Sequence, residues 1–160
     1  MPGIMIHIKK KTDDSAALSC VRADGSVTWQ RQDGAQGRFF PLHDLTHYAV
    51  ETVLDLRGFY SLLAAGWDLS DFGNPWPRGP LPPEAHTVEQ IVGFLDTERA
   101  SGREWSATDL RLAAPYAVSE EDLRQVREAR RGLFARWAAL PPGETLELQF
   151  VIRERAVRAL

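Results

Sequence analysis

Two stretches of alternating apolar residues, one near each end of the chain, constrain the fold more than anything between them. Ile4, Ile6 and Ile8 alternate with Met5, His7 and Lys9, and Leu146, Leu148, Phe150 and Ile152 alternate with Glu147, Gln149 and Val151. A period of two belongs to a strand with one buried face. A lone C-terminal strand would leave its backbone N–H and C=O groups unpaired, so the last strand is expected to join the N-terminal ones.

The rest of the N-terminal sheet follows from turn chemistry. Asp13-Asp14-Ser15 marks a turn, and Leu18 to Arg22 and Val27 to Arg31 flank Ala23-Asp24-Gly25-Ser26. Asp-Gly between two β-rich runs is a hairpin signal, because Gly takes positive φ at little cost. Asp33-Gly34-Ala35-Gln36-Gly37 reads as a further flexible turn, and Arg38-Phe39-Phe40-Pro41 as its exit.

Helical periodicity then takes over. From His43 to about Arg57, Leu45, Tyr48, Ala49, Val53 and Leu56 share an apolar arc, and His43, Asp44, His47, Glu51 and Asp55 fall on the remaining arc. Gly58 is expected to interrupt this helix, Phe59 to Ala65 to continue it, and Gly66 to cap it. Trp67 to Pro83 is a long Pro- and Gly-rich loop whose aromatics argue for packing. A helix should start after Pro82-Pro83, with Val88, Ile91, Val92 and Leu95 as its stripe and Ser101-Gly102 as its end. Trp105 to Leu112 suggests a short helix. Ser119-Glu120-Glu121-Asp122 opens a long one, stopped at Pro141-Pro142-Gly143, with Leu123, Val126, Leu133, Phe134, Trp137 and Leu140 facing inward. The expected fold is α+β: a small antiparallel sheet of the N-terminal strands plus the C-terminal strand, packed against three to four helices. Residues 1–160 are expected to form a single domain, since neither a repeat nor a second composition is visible and 160 residues suffice for one core.

Composition narrows the function classes. Net charge is −3, which argues against nucleic acid or a membrane surface as partner. No apolar run approaches a membrane span, and Met1 to Lys11 lacks an apolar export segment, so a cytoplasmic location is expected. Cys20 is the only cysteine, which excludes an intrachain disulfide and a cysteine-based zinc site. It has no local partner and reads as a small buried thiol.

Chemistry is concentrated at His43-Asp44-Leu45-Thr46-His47, followed by Glu51. Four residues is about one helical turn, so His43, His47 and Glu51 stack along one side. Two imidazoles and a carboxylate form a partial site for zinc or another divalent metal, with Asp44 as catalytic base or as a group orienting an imidazole. His86 and Glu89, at the start of the next helix, are non-local ligand candidates. Acids there also suit the helix dipole without a metal. His7, opposite Ile4, Ile6 and Ile8, would reach the site only if its face meets the helix.

His43-Asp44-Leu45-Thr46-His47 resembles the His-Glu-x-x-His helix of zincin metallohydrolases, with Asp in place of Glu. The resemblance covers these five residues and implies His43 and His47 as zinc ligands and Asp44 as general base. Leu42-His43-Asp44-Leu45 is also similar to the His-Asp dyad of HD-type phosphohydrolases, an all-helical family, which the strand-rich N-terminus disfavours.

The function expected is thus a divalent-metal site on the helix starting at His43, serving a metal-dependent hydrolase with a small-molecule substrate. The competing expectation is a non-catalytic interaction or scaffold protein, a homodimer among its forms, using the aromatic loop 67–83. In that loop Trp67, Asp68, Asp71, Phe72, Asn74 and Trp76 form either a pocket wall or a staple to the core. Arg124, Arg127 and Arg131 lie on one stripe of the long helix, where Glu120 and Glu128 at four-residue spacing mark a solvated ion-pair face.

Overall fold

A computed structural model of the chain describes residues 3–73 and 76–155. The two alternating ends meet in one antiparallel sheet of order β3-β2-β1-β4. β1 (Gly3–Lys10) sits inside it, between β2 (Ala16–Arg22) and the C-terminal β4 (Thr145–Val151), while β3 (Val27–Gln32) forms the far edge. Ile6 is paired with Cys20 on one side and with Leu148 on the other. This register aligns the apolar faces of the strands, so that Ile4, Ile6, Ile8, Leu18, Cys20, Leu146, Leu148 and Phe150 are all buried. The opposite face is open, with Trp29 66 % exposed.

Five helices and a 3-10 turn occupy the buried side: α1 (Ala35–Val53), α2 (Phe59–Ala64), the turn Leu69–Phe72, α3 (Pro83–Ser101), α4 (Ala107–Ala113) and α5 (Glu120–Ala139). The expected α+β architecture is therefore present. Pro83 in the first turn opens α3 and Gly102, at φ 72, closes it. Ser119 and Asp122 form a reciprocal capping box at the start of α5, as do Ser106 and Asp109 for α4.

Two boundaries differ from the sequence reading. Helix α1 starts at Ala35, two turns before His43, where the sequence suggests a flexible turn. Gly34 and Gly37 are breakers when read locally, but Gly37 packs the helix onto the preceding turn: a Cβ there would lie 2.7 Å from the carbonyl oxygens of Asp14 and Gln32. Pro41, inside the helix, is buried. At the other end α1 stops at Val53, with Asp55 at φ 52, rather than running to Arg57.

α1 is the central helix, in contact with α2, α3, α5, β2 and β3. The helix is exposed toward its ends, at Gln36, Arg38, Phe39 and Thr52, but its middle is enclosed on the side of the polar arc. Asp44, His47 and Glu51 are accordingly 3 %, 1 % and 2 % exposed. Among the described residues no helix is long and apolar enough to cross a membrane.

Candidate metal centre

The buried polar residues of α1 form a network with α3. His43, His47 and Glu89 each offer one ligand atom, and these three atoms lie within 4.8 Å of one another. His47 Nε2 is 3.3 Å from Glu89 Oε1. For metal bonds of ~2.0–2.1 Å, the edge of a coordination tetrahedron is about 3.4 Å, so this pair is already at ligand spacing.

Each imidazole is fixed from its other nitrogen. His47 Nδ1 lies 3.1 Å from Glu51 Oε2, and His43 Nδ1 lies 2.6 Å from Asp96 Oδ2. An ionised carboxylate only accepts, so each Nδ1–H donates, and Nε2 is the nitrogen that an ion would take once it has lost any proton of its own. Asp96 is in turn 3.5 Å from Arg99 Nη2. Glu51 also anchors the next helix. Its Oε1 accepts from the backbone N–H groups of Gly58 (3.2 Å) and Tyr60 (3.0 Å), which start α2. Gly58 is required there, since a Cβ would lie 2.8 Å from a Val88 methyl.

The network has a definite charge pattern. Burial works against a charged His47, but Glu89 and Glu51 on its two nitrogens outweigh it and raise its pKa to about 10. Burial raises Glu89 as well, yet the adjoining imidazoles more than offset this and leave its carboxyl below the usual range. Glu51 is pushed up, chiefly by burial. Asp44 is pushed up to about 6 by burial, against the pull of the Gln32 amide and of the neighbouring imidazoles. Gln32 Nε2 donates to Asp44 Oδ2 at 3.0 Å, and the Tyr60 hydroxyl donates to the Asp44 carbonyl at 2.8 Å.

These groups open onto a cleft of about 530 Å³, lined by His43, Asp44, His47 and Glu89 and walled by Phe40, Phe59, Phe72 and Trp76. The aromatic loop thus forms one side of it. Phe72 packs on Phe59 at 4.8 Å and on Trp67 at 5.4 Å between ring centroids. Asn74 lies outside the described residues.

Of the residues singled out from sequence, His43 and His47 come together, and Glu89 takes the third position that local spacing assigns to Glu51. Glu51 is behind His47, with both oxygens in use. Asp44 lines the cleft beside the cluster. His86 is exposed and lines the cleft without belonging to the cluster. His7 is on the open face of the sheet, 3.3 Å from Glu147, away from the helices. Cys20 is fully buried and its thiol is pushed up to about 12 by that burial. Arg124 pairs in solvent with Glu128, as expected, and with Glu121 in place of Glu120, which instead accepts from the backbone N–H of Ala107. Arg127 departs from the solvated stripe, for it donates to the buried Glu98 at 2.6 Å. Asp96 and Gln32, which hold His43 and Asp44, are residues of the cluster's surroundings that the sequence reading misses. Glu89 and Asp96 are seven residues apart, two turns along one side of α3, a spacing that marks them as sharing a face but not as partners of His43 and His47.

The fold and the cluster together define an α+β protein with a candidate two-histidine, one-carboxylate metal centre at the foot of an aromatic cleft. The chain matches no protein-family model, no curated protein and no solved structure.

Proposed function

We propose that the chain is a divalent-metal protein whose ion is held by His43, His47 and Glu89, with Glu51 and Asp96 as the carboxylates behind the two imidazoles. One observation carries this reading: both Nδ1 atoms are held by carboxylates, while the ligand atoms of the two histidines and Glu89 converge within 4.8 Å. Metal-binding histidines are commonly oriented in this way, because the outer carboxylate fixes the tautomer and raises the basicity of the ligating nitrogen. The nitrogen and oxygen donors suit zinc best among the common divalent ions.

Three protein ligands leave a coordination position open toward the cleft, which is the pattern of catalytic rather than structural sites. A bound ion would supply Lewis acidity toward a substrate carbonyl or an attacking water. In this reading Asp44, buried at the cleft wall and held by Gln32, is the group that takes and returns a proton. Metal-dependent hydrolysis is the reaction class that this pairing supports. The competing scaffold reading draws less support, since the loop aromatics are spent on the cleft and on each other, and Trp76, 43 % exposed, is the one large apolar residue of that loop left open among the described residues.

Calorimetric titration of tag-free protein with zinc tests the proposal. One ion per chain is expected, with binding abolished in His47→Ala and weakened about 10- to 100-fold in Asp96→Asn. Equal heats from the wild type and His47→Ala would remove the metal reading.

A further inference from the structure

We infer that the cleft takes small molecules with an aromatic or branched apolar body and a single monoanionic metal-ligating head, such as a carboxylate, thiolate or hydroxamate, and that it rejects phosphate esters. The inference rests on the metal reading of His43, His47 and Glu89.

Size sets the first limit. A space of about 530 Å³ is ample for a small organic molecule and far too small for a folded partner. The walls set the second. Phe40, Phe59, Phe72 and Trp76 offer ring faces and edges on which an apolar body gains both burial and aromatic contact. Phe59 also touches the site directly, its ring centroid 5.2 Å from that of His47. A body seated among these rings has its head at the imidazoles.

Charge sets the third limit. A divalent ion with two neutral imidazoles and one Glu89 carboxylate carries one net positive charge within its ligand set, and the Glu51 and Asp96 carboxylates behind the rings and Asp44 beside them add only negative charge, so the site has no positive charge to spare for more than one monoanionic head. A phosphate ester brings up to two negative charges and needs further cationic donors to spread them. Among the described residues no Lys or Arg lines the cleft, and beyond the two ligand histidines its ionisable side chains are Asp44, Glu89 and the exposed imidazole of His86. The arginines nearest in character, Arg99, Arg127 and Arg130, line a separate cleft between α3 and α5 and are turned to Asp96 and Glu98.

Binding of three probes to zinc-loaded protein tests this: benzohydroxamate, acetohydroxamate and phenyl phosphate. Benzohydroxamate is expected to bind at least about tenfold more tightly than acetohydroxamate, with phenyl phosphate the weakest. In Trp76→Ala, a partly exposed position where truncation spares the core, the advantage of the aryl ring should shrink severalfold while acetohydroxamate is unaffected. Zinc uptake is measured on the same samples. Uptake with equal hydroxamate affinities, or with phenyl phosphate tightest, would overturn the substrate inference alone. Absence of uptake would overturn the metal reading and this inference with it.

Discussion

His47 is the residue on which the metal centre turns. Its imidazole is almost wholly buried between two carboxylates, and without an ion it holds a proton because Glu51 and Glu89 flank it. A metal ligand must be neutral imidazole, so ion and proton compete for the same nitrogen. Below a pKa of about 10 the proton has to leave before the ion enters, so zinc affinity should rise with pH. Between pH 7 and pH 9 about one proton per ion should be released from His47, with the apparent association constant rising about tenfold per pH unit. Calorimetry in buffers of different ionisation enthalpy reads this number directly. A proton count of zero would mean that the ion binds away from His47.

At the level of elements, α1 is defined by what encloses it. The apolar residues Leu45 and Ala49 face the core, as a helical period of 3.6 requires, and that part is legible in the sequence, whereas the buried Val50 falls outside the arc read there. Its beginning is not legible, because Gly34, Gly37 and Pro41 are helix breakers in local terms. Here Gly37 is used for a close approach to the backbone of the Asp14 turn and of β3. Gly37→Ala should therefore destabilise the protein by about 1–3 kcal/mol, the range for overpacking a filled site. Gly132→Ala, in α5 with open space around its Cβ position, should be neutral or stabilising by up to about 1 kcal/mol. Thermal unfolding of the two variants makes the comparison. Equal melting temperatures would show that the close approach at Gly37 carries no weight. The polar arc of α1 is legible as an arc, but amphipathic reasoning turns such an arc toward water. Contacts with β3, α2 and α3 make Asp44, His47 and Glu51 interior residues, and contact between elements that are separate along the chain leaves no local mark.

Across the whole molecule, the pairing of β4 with β1 can be read from two alternating segments, since an unpaired strand has no other way to satisfy its backbone. The same closure places the helices on one face and His7 on the other, which the sequence could only state as a condition. The candidate site is a long-range product in the same sense. Its two histidines are four residues apart, but Glu89 and Asp96 arrive from α3, some forty to fifty residues further along the chain. Loop aromatics from Phe72 and Trp76 complete the cleft. If this convergence serves an ion, anomalous diffraction at the zinc edge, from crystals grown with zinc, tests it most directly. A single strong peak is expected about 2 Å from the ligating nitrogens of His43 and His47 and from a Glu89 oxygen, with Glu51 and Asp96 still behind the rings. A peak elsewhere on the chain, or none while His47 remains bridged between Glu51 and Glu89, would contradict it.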